Sequence, residues 1–531
     1  MRSTVVKTFK GEVSGVLKSL LGLFFDPAGH DFKKAGITLK LPDGRPLTVY
    51  LSLDIVVADE AALHGLYTCK GSSGLKPCML CQNIFNTQIN RHIVESDVSG
   101  WSQYHDCTDT GKLELHTRAT IDAIYRRLEA GLEYTRNGTF TGAYKELQVR
   151  LGWNYTPGSV MLCARARALC HPVDVAVHDW MHVCFVGGVF NVHMGYLMTE
   201  IKHLGVTYAM LNEYVSQWKW PATLASKLAN PGGALASKRA SSSWEAGSLK
   251  ATASEAVSMM PILAHFFERL QFNTANADLK QHLGCMLLLV RVVELIMLSS
   301  RRRVDPDELQ IASNMYLAKY KSLYGGLAMT TKFHVVLHFP IYLRNFKYLP
   351  NCWVLERKHK QPKRFSNEMR NTSGSWEASV AREVTNRHLA AFSSIRRCRT
   401  ATLLEPVTNA PPPMLETLVA ELGGAVEVWT SRSARINECE RIGKGDMVLL
   451  HAEHGSRVVG EVVFIASVAV DELHTVICQV QLLEMSSLAG PRATKWRRSE
   501  ALQIVDAGQV ECAVVWAGEG STITVLSPPV V

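Results

Sequence analysis

No charge-free apolar run of bilayer length stands out in this sequence. The most apolar segment, GCMLLLVRVVELIMLSS at 284–300, is interrupted by Arg291 and Glu294 and falls short of the ~20 residues a transmembrane helix needs. It predicts a buried helix and no membrane partner. Nor does an apolar stretch follow Met1 and Arg2, so the pattern of a secretory signal peptide is missing. A paired-cysteine framework is lacking too, since the 13 cysteines are odd in number and scattered. A reducing, intracellular setting is the expectation. No internal repeat is present. Strong charge of one sign is absent: the net charge of +9 is mild and is compatible with a polyanion without requiring one. What is there, 47% hydrophobic and 20% charged residues, excludes a disordered chain. A length of 531 residues predicts two to four domains.

The stretch from 47 to 82 is the most informative. Leu47, Val49, Leu51, Ile55, Val56 and Val57 alternate or cluster as in a buried strand. The strand ends on Asp59, and good helix formers follow from Glu60 to Leu63. An acid at the carboxyl end of a strand, before a helix, is a common place to hold a metal ion or polar ligand. Before it, Pro42-Asp43-Gly44-Arg45-Pro46 marks the turn of a hairpin. After it, Cys78-x-x-Cys81 can grip one metal ion with two thiolates. His105 and Cys107 are the best spaced residues to complete a zinc tetrahedron.

Further on, Asp179 and His182 stand three residues apart, hence on one face if the segment is helical. A buried acid there must be paired or coordinated. The block from 183 to 345 predicts helix almost throughout. Then Glu356 follows the apolar run Cys352–Leu355 and heads the densest basic cluster: Arg357, Lys358, Lys360, Lys363 and Arg364. Arg396 and Arg397 end a second predicted helix. Positive residues with no acids beside them favour a phosphate-facing role. VTNAPPPM, ending near Pro413, predicts a linker, and short strands with turns follow beyond 440.

These motifs, in this order, resemble the DDE transposases of cut-and-paste DNA transposons, closest to the large transposase of the CACTA (En/Spm-like) class. The resemblance covers most of the chain up to about 395. It is carried by Asp59 with the Gly74-Leu75-Lys76-x-Cys78-x-x-Cys81 block, by Asp179-Trp180-Met181-His182 with Gly188 and Leu197, and by Trp353-Val354-Leu355-Glu356-Arg357. His334 and His338 sit upstream of the last motif in a His-x-x-x-His context.

The resemblance implies an α/β chain with a ribonuclease H-like core interrupted by a large all-α insertion; the strands beyond its reach read as a small β-barrel-like domain. The expected divisions are 1–115 and 346–400 for the core, 116–345 for the insertion, 401–439 for a linker and 440–531 for the β domain. Asp59 would be the second acid of a metal-binding triad and Glu356 the third, holding Mg²⁺ or Mn²⁺, with Asp179 and His182 as further catalytic residues. Arg357, Lys358, Lys360, Lys363, Arg364, Arg396 and Arg397 would hold DNA phosphates. Double-stranded DNA, a nuclear location and homo-oligomerisation are implied as well. One departure is plain: the first acid should lie on a strand upstream of Asp59. Asp26 is a poor fit by spacing, so the chain is expected to begin after the first core strand. A non-catalytic nucleic-acid-binding or chromatin-associated protein on the same scaffold is the competing expectation. A helical interaction protein, with Asp179, His182 and Glu356 as buried polar pairs, is a third.

Overall fold

The hairpin forms where the turn signal places it. Ile37–Lys40 pairs antiparallel with Pro46–Val49, Ile37 opposite Val49 and Lys40 opposite Pro46. The strand expected to continue to Val57 does not. Residues 50–55 are irregular, and Val56–Ala58 forms a separate strand, parallel to Ala176–His178. This computed structural model describes residues 10–26, 31–40, 44–86, 100–136, 139–221, 231–299, 304–352, 382–383, 386, 401–404, 406–422, 427–436, 441–451, 457–470, 473–489 and 492–526.

The chain forms two compact units. One comprises residues 1–191 and 291–359, the other 192–290 and 360–531. The helical stretch 116–345 is therefore divided between them.

In the first unit, among the described residues, every sheet is two-stranded. Helices supply most of its core. Arg118–Ala130 starts with a capping box, in which Thr117 and Thr120 satisfy each other's backbone N–H groups. It buries Ile121, Ile124, Tyr125 and Leu128. The Tyr125 hydroxyl donates to the Tyr67 carbonyl at 3.0 Å, tying this helix to Glu60–Tyr67. Asp26, at the end of the Glu12–Phe24 helix rather than on a strand, pairs with Arg165 at 3.0 Å.

The second unit joins helices to a curled antiparallel sheet of nine strands. The three longest are Arg457–Val470, Leu473–Leu488 and Ala493–Asp506. A bulge between Val462 and Phe464 reverses the side-chain alternation. Val462 and Ile465 therefore share one buried cluster with Val480 and Val505, while Phe464, Ala466 and Val468 face another. That second face is covered by the Pro412–Leu422 helix through Leu418. The described residues between 401 and 436 thus form strands and a helix packed on the sheet where a linker was expected. The proline run opens a helix, where the missing N–H groups cost nothing.

The apolar segment near 284 is helical, within Ala277–Ser299. By length and composition this helix could cross a membrane, as could Trp180–Leu204, but 67% and 72% of their apolar windows are buried inside the protein. Among the described glycines of the second unit, Gly195, in the Val189–Ile201 helix, marks the tightest backbone approach. A Cβ there would stand 2.0 Å from the Gly247 carbonyl oxygen. Neither partner is a flexible side chain, so Gly195→Ala should cost about 3 kcal/mol. Thermal unfolding should show a lowered midpoint; an unchanged midpoint would refute the close approach.

Candidate metal centre and acid pair

Two short segments far apart in sequence converge in the first unit. The loop Pro77–Cys81 follows a short 3-10 turn at Gly71–Ser73. There the Leu80 N–H points at Cys78 Sγ, 3.4 Å away. His334 lies on the Thr331–Val336 helix. One turn later, His338 is the helical N-cap residue of Phe339–Phe346. Spaced by four, the two imidazoles share a face.

All four side chains are buried, from 7% exposed at Cys78 to 0% at Cys81 and His338. Their ligand atoms lie within 4.8 Å of one another. Cys78 Sγ is 3.4 Å from His338 Nε2, and Cys81 Sγ is 3.4 Å from His338 Nε2 and 3.6 Å from His334 Nε2. The two Nε2 atoms are 3.2 Å apart. A tetrahedral zinc ion with Zn–S near 2.3 Å and Zn–N near 2.05 Å separates its ligand atoms by roughly 3.3–3.8 Å. The four residues therefore fit a metal such as zinc in both donor type and spacing. Burial opposes ionisation of Cys78, but the hydrogen bond from Cys81 and the two imidazoles hold its thiol well below the usual range. Burial and the neighbouring Cys78 push Cys81 up.

His105 and Cys107 are not part of this group. His105 sits edge-on to Tyr104, with Nε2 3.9 Å from an Asp106 carboxylate oxygen. Cys107 directs its thiol to the Asp109 carbonyl at 3.5 Å. Nearness in sequence favoured them, but the turn carrying them aims both side chains elsewhere. The His-x-x-x-His spacing was the signal for the two residues that the fold brings to the cysteines. It matches the distal half of a Cys-x-x-Cys/His-x-x-x-His zinc site, but lies some 250 residues downstream.

The candidate metal site abuts the parallel strand pair. His178, the last residue of its strand, meets the Tyr342 hydroxyl through Nδ1 at 2.6 Å. Tyr342 in turn stacks on His338. Burial keeps His178 neutral, with a pKa pushed down to about 3.

Beyond this pair the chain places two acids. Ala58 is opposite His178 in register, so Asp59 and Asp179 follow the carboxyl ends of neighbouring strands. The Asp179 N–H donates to the Ala58 carbonyl at 2.9 Å. Each acid caps a helix: Asp59 accepts from the Ala62 N–H at 2.6 Å, and Asp179 from the Met181 N–H at 3.1 Å. Asp59 is half-buried. Asp179 is fully buried, and its second oxygen bonds His182 Nδ1. Lys332 donates to the carbonyls of His182 and Val186 at 3.2 and 2.5 Å. Burial lowers the Lys332 pKa, opposed by Glu60 and Asp59.

Among the described residues, the four-residue cysteine–histidine cluster is the one group of three or more such side chains able to share a metal ion. Asp59, Asp179 and His182 do not form another. Glu356, Arg357, Lys358, Lys360, Lys363, Arg364, Arg396 and Arg397 lie outside the described residues. No family model, curated protein or solved structure matches the chain.

Proposed function

We propose that this chain is a transposase-like DNA-binding protein, in which a zinc-held ribonuclease H-like core presents Asp59 and Asp179 as its paired acids. The observation that carries this reading is the pair of parallel strands, each followed at once by an aspartate. Adjacent strands run ~4.8 Å apart, so the two acids are neighbours along the backbone; sharing a divalent ion would require their carboxylates to turn from the helix caps they make. On this reading Asp179, following the strand beside that of Asp59, would take the place of the acid expected upstream. Cys352, the last described residue before Glu356, points its thiol at the Val57 carbonyl, 3.7 Å away. Glu356 itself lies outside the described residues, and this reading assigns it as the third acid. Mg²⁺ or Mn²⁺ at such a site would supply an activated water and stabilise the leaving oxygen in phosphodiester cleavage. The protein's part is to hold the carboxylates at fixed strand ends. The basic residues from Arg357 to Arg364, with Arg396 and Arg397, would engage phosphates of double-stranded DNA. A nuclear, oligomeric protein fits this reading.

A specific observation favours the second reading, a DNA-binding or chromatin-associated scaffold without catalysis. Asp179 is wholly buried and already bonded on both oxygens, as in a structural acid.

A supercoiled-plasmid nicking assay with Mg²⁺ or Mn²⁺ separates the two. The catalytic reading expects nicking that falls about 100-fold or more in Asp59→Asn, the usual scale for loss of a key catalytic group. Salt-dependent DNA binding with no nicking would establish the scaffold reading. Absence of both would remove the proposal altogether.

A further inference from the structure

The second unit contains a cleft of about 710 Å³, within the size range of small-ligand sites. Helical segments form one wall. Tyr214 lies on Tyr208–Ser216, Trp218 and Lys219 follow it, and His265 and Arg269 come from Ala253–Asn273. The opposite wall is sheet, with Lys495, Thr524 and Gly518 among its residues.

Backbone bonds join the walls. The Lys219 N–H donates to the Trp516 carbonyl at 2.6 Å, and the Trp516 N–H returns a bond to the Lys219 carbonyl at 3.2 Å. Trp516–Glu519 is the edge strand of the large sheet. Strand alternation therefore turns the N–H of Gly518, two residues on, outward as well. Gly518 has φ +141°, and a Cβ there would stand 2.5 Å from the Thr522 carbonyl oxygen. The cleft thus keeps a bare peptide unit in its wall.

The charge is one-sided. Lys219, Arg269 and Lys495 line the cleft, and its described lining includes no carboxylate. The nearby Glu268 is engaged by Arg492 at 2.6 Å. Lys219 Nζ rests 4.3 Å from the centre of the Trp516 ring. Concave clusters of one sign concentrate the opposite charge.

The aromatic wall is fixed in place. His265 Nε2 faces the Ala489 carbonyl at 3.4 Å and so carries the hydrogen. Its Nδ1 then accepts from the Tyr214 hydroxyl at 2.7 Å. Trp218 packs edge-on to His265, with ring centroids 5.5 Å apart.

We propose that this cleft binds a nucleotide unit. Lys219, Arg269, Lys495 and the Gly518 N–H hold its phosphate, and the half-buried Tyr214, backed by the buried Trp218, stacks on its base. Cations beside aromatic faces are the means by which single strands are gripped without sequence preference. A phosphate alone has no use for the aromatic wall. A free mononucleotide and a single-stranded segment share this chemistry, and the experiment tells them apart. The site does not depend on Asp59 or Asp179, so its test is independent of nicking.

Fluorescence anisotropy of a labelled oligothymidylate of about ten nucleotides, within the range covered by single-strand sites, is measured with the full chain, with dTMP and inorganic phosphate as competitors. Saturable binding is expected. The double variant Arg269→Ala/Lys495→Ala should weaken it at least tenfold and reduce the salt slope by about 1.4, some 0.7 per lost phosphate contact. Tyr214→Leu should weaken it about tenfold through lost stacking. Each variant is first shown to keep the wild-type thermal midpoint. Competition by dTMP well below the phosphate concentration needed identifies a free nucleotide as the ligand. Oligonucleotide binding that dTMP does not displace identifies a strand. The proposal is overturned by three results: no saturable binding of either, binding that both variants leave unchanged, or phosphate competing as well as dTMP.

Discussion

Cys81→Ser should lose the bound metal and, with it, the fold of the first unit. Cys81 is fully buried, and its sulfur faces both His334 and His338. Structural zinc contributes an apparent ~10–16 kcal/mol in zinc-finger peptides. A whole domain is typically stable by only about 5–15 kcal/mol. Losing one thiolate therefore threatens the entire margin, not a fraction of it. The cross-link also joins segments 253–260 residues apart, which removes much freedom from the unfolded chain. Metal content by mass spectrometry should be stoichiometric in the wild type and near background in the variant. The thermal midpoint should fall by more than about 10 °C, since a few kcal/mol already moves it by that much. Because Cys81→Ser is expected to fold poorly, cobalt substitution in the wild-type chain gives a second readout: the strong visible absorption of a tetrahedral S₂N₂ site. His105→Ala and Cys107→Ala are the contrasting variants, and both should keep the metal. If instead Cys81→Ser held its zinc while either contrasting variant lost it, the ligand set drawn here would be wrong.

Asp179→Ala should be the most damaging single change at the strand ends, at about 3 kcal/mol. The side chain is completely buried and serves two groups, the Met181 N–H and His182 Nδ1. Removing a cap acceptor costs about 1 kcal/mol. Breaking a buried pair costs up to about 3–5 kcal/mol, but His182 keeps 20% of its side chain exposed and can recover water, so the sum is discounted. Asp59→Ala loses one cap bond from a half-buried position, and about 1 kcal/mol is expected. Urea unfolding of the two variants measures the gap. Equal losses would mean that Asp179 is no more embedded than Asp59.

The hairpin, the buried apolar helix and the helix start at Asp59 were legible because each depends on residues close in sequence. Turn residues, helix formers and capping acids act within a few positions. The strand was overextended for a related reason: alternation from Leu47 onward could not show that residues 50–55 leave one pairing before Val56 begins another. Around Pro413 the composition misled, since prolines that often end structure here open a helix whose Leu418 fills a sheet face.

The metal centre divides in the same way. Cys78 and Cys81 were marked by their spacing, which alone lets two thiolates grip one ion. His334 and His338 had the right spacing between themselves, but sequence carries no distance between segments 250 residues apart, and local proximity pointed to His105 and Cys107 instead. By itself the sequence determined which residue types sit where along the chain: a thiolate pair, an imidazole pair, an aspartate at a helix start and an aspartate three residues from a histidine. Only the tertiary structure decided which of them meet. The register of Val56–Ala58 against Ala176–His178 sets Asp59 beside Asp179, and the helical turn at His334 closes on the Cys78–Cys81 loop. Packing and strand pairing make those choices, because they act through space and not along the chain.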